Sequence, residues 1–349
     1  MKRILYALTA LLLLSVPVGM AQNLIPVNFQ SKWFPQAQFA GYFVAQDKGF
    51  YAEEGLDVTV LDGGNVNPTV AVASGNADFG TDWLANILVQ REQGLNVVYI
   101  GQMFQVAGYR LVALKSSGIE TFADMAGRKV GVWAFGNEFA TEAVFAKAGL
   151  TSSLDPTISN PDVEAVVYAF DPGLVFPNEV DVASAMTYNE LDQIVGLGYD
   201  LSVLNVLNPA DIGADILEDG VFANADVLAT DNFKGSGLTG KEVAERFLRA
   251  SIRGWQYAVD NQEEAVNIVL KSCGDTCAGS GSRQSPLIHQ TWMMAETGKL
   301  VKPTPDTAVG SIDRADFERS VQLLVDVGLI KTPYTWDELV DPSIYDAIK

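Results

Sequence analysis

Short apolar runs alternate with helical patterns from Ile25 to about Val206, which predicts strands interleaved with helical crossovers in parallel sheets. Ile25 to Phe29 reads as the first strand, followed by a helix near Ala40 to Lys48. Asp57 to Leu61 is the second strand and Pro68 to Ser74 the next helix. Thr81 is placed to cap a helix running to about Gln93. Val97 to Gly101 and Leu111 to Leu114 then read as strands. A second series begins with a one-turn helix at Thr121, the strand Lys129 to Trp133 and a helix over Asn137 to Ala148. Val163 to Ala169, Val182 to Met186 and Leu201 to Val206 are its further strands. Beyond them the pattern becomes helical, with long amphipathic runs at Lys241 to Val259 and Glu263 to Leu270. Two α/β series followed by a helical return predict two lobes, the first built from 22–114 and 215–349 and the second from 115–214. The chain is expected to cross between them near Leu111 to Ser116 and near Ile212 to Asp219.

The start of the chain changes the cellular picture. Lys2 and Arg3 precede an apolar run, Ile4 to Val16, that is too short to span a bilayer. Pro17 breaks it, and Gly19-Met20-Ala21 supplies small residues for a signal peptidase cutting before Gln22, so 1–21 reads as a signal peptide. No cysteine follows the cut to take a lipid, which makes a periplasm the expected compartment, without stable membrane insertion. The net charge of −20 repels nucleic acid and anionic headgroups and excludes both as partners. Cys273 and Cys277 are the only cysteines, and in an oxidising compartment such a close pair reads as a disulfide. Half of a metal site is the rival reading, but the chain carries a single histidine, His289, and no further thiol. No metal is expected.

Four predicted strand ends carry the candidate chemistry, because open parallel sheets bind ligands beyond the carboxyl ends of their strands. The first is followed by Trp33, Gln38, Phe39 and Tyr42; another by Asp82 and Trp83. In the second series the loops supply Trp133, Phe135 and Asn137, and then Tyr188, Asn189 and Glu190. Each loop combines an aromatic face with an amide, hydroxyl or carboxylate. That pairing stacks a flat ring and reads its nitrogens and hydroxyls. A lone aromatic residue is more often core than ligand platform. For Trp33, Trp83 and Trp133 the strand-end position reverses those odds; Phe39 and Tyr42, at helical spacing, stand near even. Asp82 and Asn137 have the alternative of helix capping, and Glu190 that of a first-turn carboxylate.

Tests for catalysis fail: G-x-S-x-G, a Walker loop, G-x-G-x-x-G after a strand and H-E-x-x-H are all missing. His289 falls in an amphipathic stretch and reads as packing, and no cofactor is expected. The string Trp33 to Tyr42, followed by Gly49 to Val58, resembles the opening of ABC solute-binding proteins of the thiamine-pyrimidine and riboflavin type. Gly131-Val132-Trp133 with Gly136-Asn137-Glu138, Ser184 to Glu190, and Phe247 to Ser251 with Arg253-Gly254-Trp255 extend the likeness over nearly the whole chain after the leader. The resemblance implies the type II periplasmic-binding-protein fold, two α/β lobes joined by two crossover strands, and delivery to an ABC permease with its ATPase. It implies riboflavin as the ligand ahead of a thiamine pyrimidine precursor such as hydroxymethylpyrimidine. The same superfamily holds a fungal pyrimidine synthase with a lysine and a histidine in the segment matching Gly80 to Ile87, where this chain has neither. An extracellular ligand-sensor domain is the remaining alternative.

Overall fold

Short stretches of β-branched and large apolar residues, most of them followed by a helix, build the first of two sheets. The computed structural model describes residues 23–64, 66–134, 136–279 and 283–349, so the expected signal peptide lies outside the described residues. Strands β1 (Ile25–Gln30), β2 (Leu56–Leu61), β3 (Phe79–Asp82) and β4 (Val97–Gln102) come first in the chain. They are followed by β5 (Tyr109–Leu114), β6 (Lys129–Val132), β7 (Glu164–Val167), β8 (Val182–Met186), β9 (Leu204–Leu207) and β10 (Gly220–Asn224). One sheet has the order β2-β1-β3-β10-β4 and the other β7-β6-β8-β5-β9. In each, four strands share one direction and one, having just come from the other lobe, runs antiparallel to both of its neighbours. The chain therefore crosses twice, over 103–108 and 208–219.

The predicted parallel alternation holds for β2-β1-β3 in one sheet and β7-β6-β8 in the other, and four local expectations need correction. Tyr109–Leu114, placed by the sequence within the first lobe (22–114), pairs with β8 and β9 in the second sheet, so the first crossing precedes it. Nothing in an apolar hexapeptide says which sheet will complete its hydrogen bonds. Gly220–Asn224 forms a buried strand where only helical return was expected. It inserts between β3 and β4, with Gly220 against Tyr99: a Cβ there would lie 1.6 Å from the tyrosine hydroxyl. Thr81 lies inside β3 and caps nothing; the helix starts at Leu84. Leu201–Val203 is a 3-10 turn, because the Asp200 carboxylate accepts the Ser202 N–H, and the strand starts only at Leu204.

After β10 the helix Gly240–Asp260 opens with a reciprocal Thr239–Glu242 cap and lays its apolar stripe on the helix Ala40–Asp47. The two backbones meet at glycines. A Cβ on Gly254 would stand 2.1 Å from the Gly41 carbonyl oxygen, and one on Gly41 would stand 2.2 Å from Trp255 Cγ. Gly254→Val is expected to destabilise the protein by about 1–3 kcal/mol or more, read as a lower urea midpoint at unchanged m-value. Cys273 ends the helix Gln262–Cys273 and is bonded to Cys277, with the Cα atoms 5.4 Å apart. The helix Pro286–Val301 packs on the helices of the first lobe and also touches the helix Glu190–Gly196 of the second.

The two crossings are tied to each other. Glu218, on the second, accepts the Gly108 N–H at 2.7 Å and the Tyr109 N–H at 3.0 Å on the first. Gln102 donates to the Glu218 carbonyl at 2.5 Å and to that of Phe104 at 2.6 Å. Burial pushes the Glu218 carboxyl up to about 8.

Candidate functional site

The carboxyl ends of β1, β3, β6 and β8 face one another across the gap between the sheets, and the residues just beyond them line a single cleft. From the first lobe Lys32, Trp33, Gln36, Gln38 and Trp83 form its wall. From the second come Trp133, Asn137, Met186, Tyr188, Asn189 and Glu190. The cleft holds about 360 Å³ of empty space, counting the part open to solvent. Eight of the twelve ligand-site residues nominated from the sequence meet here: Trp33, Gln38, Trp83, Trp133, Asn137, Tyr188, Asn189 and Glu190.

Three others do not line it. Phe39 is fully buried among core residues. Tyr42 packs its ring against Phe29 at 4.2 Å and Trp255 at 5.8 Å, in the seam between the helix Ala40–Asp47 and the core. Helical periodicity turned both toward the sheet rather than the cleft. Asp82 is wholly buried one layer behind the wall. Phe135 lies outside the described residues. Lys32, Gln36 and Met186 were missed, although the first two flank nominated positions in the same strand-end loop and Met186 ends the strand β8 that carries Tyr188.

Lys32 explains why Asp82 is where it is. Its ammonium sits 2.5 Å from Asp82 Oδ1 and 4.9 Å from the centre of the Trp83 ring. The carboxylate also accepts from Trp83 N at 2.8 Å, Thr69 Oγ1 at 2.9 Å and Asn86 Nδ2 at 2.5 Å. A charge pair this deep holds its place only because its remaining hydrogen-bonding capacity is filled. It fixes the Trp83 indole against the cleft. Asp82→Ala is expected to cost about 3–5 kcal/mol by leaving the Lys32 charge buried alone, measurable as a large fall in melting temperature.

Two further networks set the polar groups of the wall. Gln36 donates to Gln38 at 2.8 Å, and Gln38 donates to both oxygens of Asp219 at 3.0 and 3.1 Å. Burial raises the Asp219 carboxyl to about 7, opposed by the nearby Lys32. Trp83 Nε1 lies close enough to help lower that value, yet completes no well-formed hydrogen bond. On the second lobe Glu190 accepts from Met186 N at 2.9 Å and from Asn189 Nδ2 at 2.7 Å, and burial raises its carboxyl to about 7. Behind them stands His289 from the first lobe. Its Nε2 lies 3.0 Å from Asn189 Oδ1 and its Nδ1 2.6 Å from Asp192 Oδ2. The histidine that reads as packing in the sequence is a polar tie between lobes.

The aromatic faces are braced. Trp133 stands edge-on to Tyr109 at 5.9 Å and tilted to Tyr168 at 6.1 Å; Trp33 stands edge-on to Phe34 at 5.6 Å and to Phe170 of the second lobe at 6.5 Å. Indoles held by neighbouring rings lose little freedom when a flat molecule slides between them.

Two mixed sheets joined by two crossings, with strand-end side chains facing each other across the cleft, define a two-lobed binding protein of the type II periplasmic-binding-protein fold. The sequence matches the NMT1/THI5-like family over residues 36–265, and the chain belongs to that family. The riboflavin-binding protein RibY of Chloroflexus aurantiacus is 25% identical over 91% of this chain and 86% of its own length. A 4-amino-5-hydroxymethyl-2-methylpyrimidine phosphate synthase of Legionella pneumophila is 27% identical over 70% of this chain and 73% of its own. The formylaminopyrimidine-binding protein of Halalkalibacterium halodurans is 25% identical over 70% and 69%. Among solved structures, the periplasmic aliphatic sulphonate binding protein SsuA of Escherichia coli superposes with a TM-score of 0.61 at 13% identity, covering 92% of each chain. Among the described residues no helix is long and apolar enough to cross a membrane.

Proposed function

We propose that this protein is the solute-binding component of an ABC importer, exported to the periplasm, that closes its lobes on a flat heteroaromatic vitamin and hands it to a permease driven by an ATPase. Riboflavin is the favoured ligand. The observation that carries the reading is the cleft itself, where Trp33 and Trp83 from one lobe face Trp133 and Tyr188 from the other. Neither lobe alone can cover both faces of a ring. A ligand that touches both therefore shifts the equilibrium toward the closed form through contacts the open form lacks. Gln38, Asn137 and Asn189 stand at the edges, where ring nitrogens and carbonyls need partners. Riboflavin is supported by the relative of that name, whose likeness runs over 91% of the chain against 70% for the formylaminopyrimidine-binding relative.

A thiamine pyrimidine precursor is the second reading, supported by that latter relative and by a cleft polar enough to read a small pyrimidine. A synthase activity, suggested by the name of the Legionella relative, fits less well. The cleft's lysine is committed to Asp82 at 2.5 Å, and its lining pairs no nucleophile with a base. Mass spectrometry of the small molecule released on denaturing periplasmic protein tests the reading, with a flavin expected in stoichiometric amount. Release of a pyrimidine would transfer the role to the second reading. Turnover of pyridoxal phosphate with iron would overturn both.

A further inference from the structure

A second chamber, with about 630 Å³ of empty space counting the part open to solvent, adjoins the cleft across Trp33, Gln36 and Asn189, which wall both. Its other sides are Phe34 and Pro35 from the loop after β1, Phe170 from the loop after β7, and Gln290 beside the disulfide turn at Thr276 and Cys277. Trp33, Phe34, Pro35 and Phe170 are partly exposed, so this chamber lies nearer the surface than Trp83 and Tyr188. Gln290 carries the argument. It is fully buried on the helix Pro286–Val301, and its Oε1 accepts the Ala37 N–H at 2.7 Å. That bond fixes the orientation of the amide, and among the described residues the Nε2 donor has no partner. A buried donor without an acceptor is destabilising, and here it belongs to a residue in the wall of a chamber that opens beside the ring site. The lining of the chamber contains amides, a hydroxyl and aromatic faces but no charged side chain. The one acid of the adjoining cleft wall is Glu190, and Lys32 is already neutralised by Asp82.

We propose that this outer chamber is a subsite for a neutral, hydroxylated chain carried by the ring, with Gln290 Nε2 donating to a chain hydroxyl and Phe170 covering its apolar edge. It rests on the flavin reading of the cleft and sharpens it. The ligand is a planar ring with an uncharged polyol arm, and a phosphate ester on that arm is rejected. Among the described residues no cation lines the chamber to meet a phosphate, whose charges would be stripped of water beside aromatic walls.

The test is calorimetric titration of the exported protein with riboflavin, with lumichrome, which has the ring and no chain, with flavin mononucleotide and with hydroxymethylpyrimidine. Wild type, Gln290→Glu and Phe170→Ala are compared. Gln290→Glu keeps an oxygen for the Ala37 N–H and removes the donor; Phe170→Ala changes a partly exposed wall and guards against a Gln290→Glu chain that fails to fold. Riboflavin is expected to bind about tenfold more tightly than lumichrome or flavin mononucleotide, in line with several added contacts and one desolvated charge. Gln290→Glu should weaken riboflavin about two- to tenfold and leave lumichrome unchanged, whereas Phe170→Ala, which also loses the Trp33 contact between lobes, should weaken both ligands and riboflavin the more. Equal binding of riboflavin and lumichrome, or variants that weaken both alike, overturns the subsite while leaving the flavin reading intact. Flavin mononucleotide binding as tightly as riboflavin overturns the rejection of phosphate. Hydroxymethylpyrimidine binding where no flavin binds overturns the flavin reading itself, and the subsite with it.

Discussion

Trp33→Ala is expected to lower affinity for the proposed flavin ligand five- to more than hundredfold, about 1–3 kcal/mol, while the free protein melts close to wild type. The indole lines both the cleft and the outer chamber and is only partly buried before any ligand arrives. Its loss therefore removes ligand-facing surface more than core. It also removes the 6.5 Å contact with Phe170, one of the aromatic contacts between lobes, so closure is weakened as well as stacking. Trp133→Ala is the informative contrast. That ring is 7% exposed and wedged between Tyr109 and Tyr168, so its removal should cost about 3–5 kcal/mol of stability in addition to binding. Titration calorimetry and thermal melts on both variants separate the two effects. Wild-type affinity in Trp33→Ala would place the ring site elsewhere.

The melting temperature is expected to fall as pH rises from 5 to 8, by on the order of 5 °C or more at constant ionic strength. Burial raises Glu190 and Asp219 to about 7 and Glu218 to about 8, from ordinary values of 4.5, 3.8 and 4.5. Half-buried Glu142, beside Glu138, is raised to about 7 as well. The folded protein keeps these protons where the unfolded chain has released them. The contribution is fully present below the unfolded values, falls as pH climbs, and is lost once pH passes the folded values near 7 to 8. Acids held below their usual range, such as Glu338 with its Thr335 cap, act in the opposite direction but complete their titration below pH 5. Glu218→Gln should flatten the slope between pH 5 and 8 whatever it does to absolute stability, since the amide does not titrate. It should also loosen the clasp between the crossings, because one of its two oxygens becomes a donor facing the Gly108 or Tyr109 N–H. An unchanged slope would show that the Glu218 carboxyl does not titrate in this range.

What the sequence by itself determined is what is local. Alternation of apolar runs with helical patterns identified eight of the ten strands, though not every boundary, and β3 only as the strand end before Asp82. The aromatic–polar pairs beyond β1, β3, β6 and β8 marked the cleft, because in a parallel sheet every strand delivers its carboxyl end to the same side. Trp33, Trp83, Trp133 and Tyr188 were legible for that reason alone. Everything that depends on a partner far along the chain was decided only in the tertiary structure. The same apolar pattern in Tyr109–Leu114 suits either sheet until β8 and β9 supply its hydrogen bonds. Asp82 was a plausible cap or ligand group until Lys32, fifty residues earlier, claimed its charge. Phe39 and Tyr42 were even between core and cleft until the helix Gly240–Asp260 set which side faced inward. His289 and Gln290 looked like any amphipathic helix, and no signal in their own segment could reveal Asp192, Asn189 or the chamber beside them. Periodicity reports which face of an element is buried, whereas a site is made by which elements meet, and that is set by contacts hundreds of residues apart.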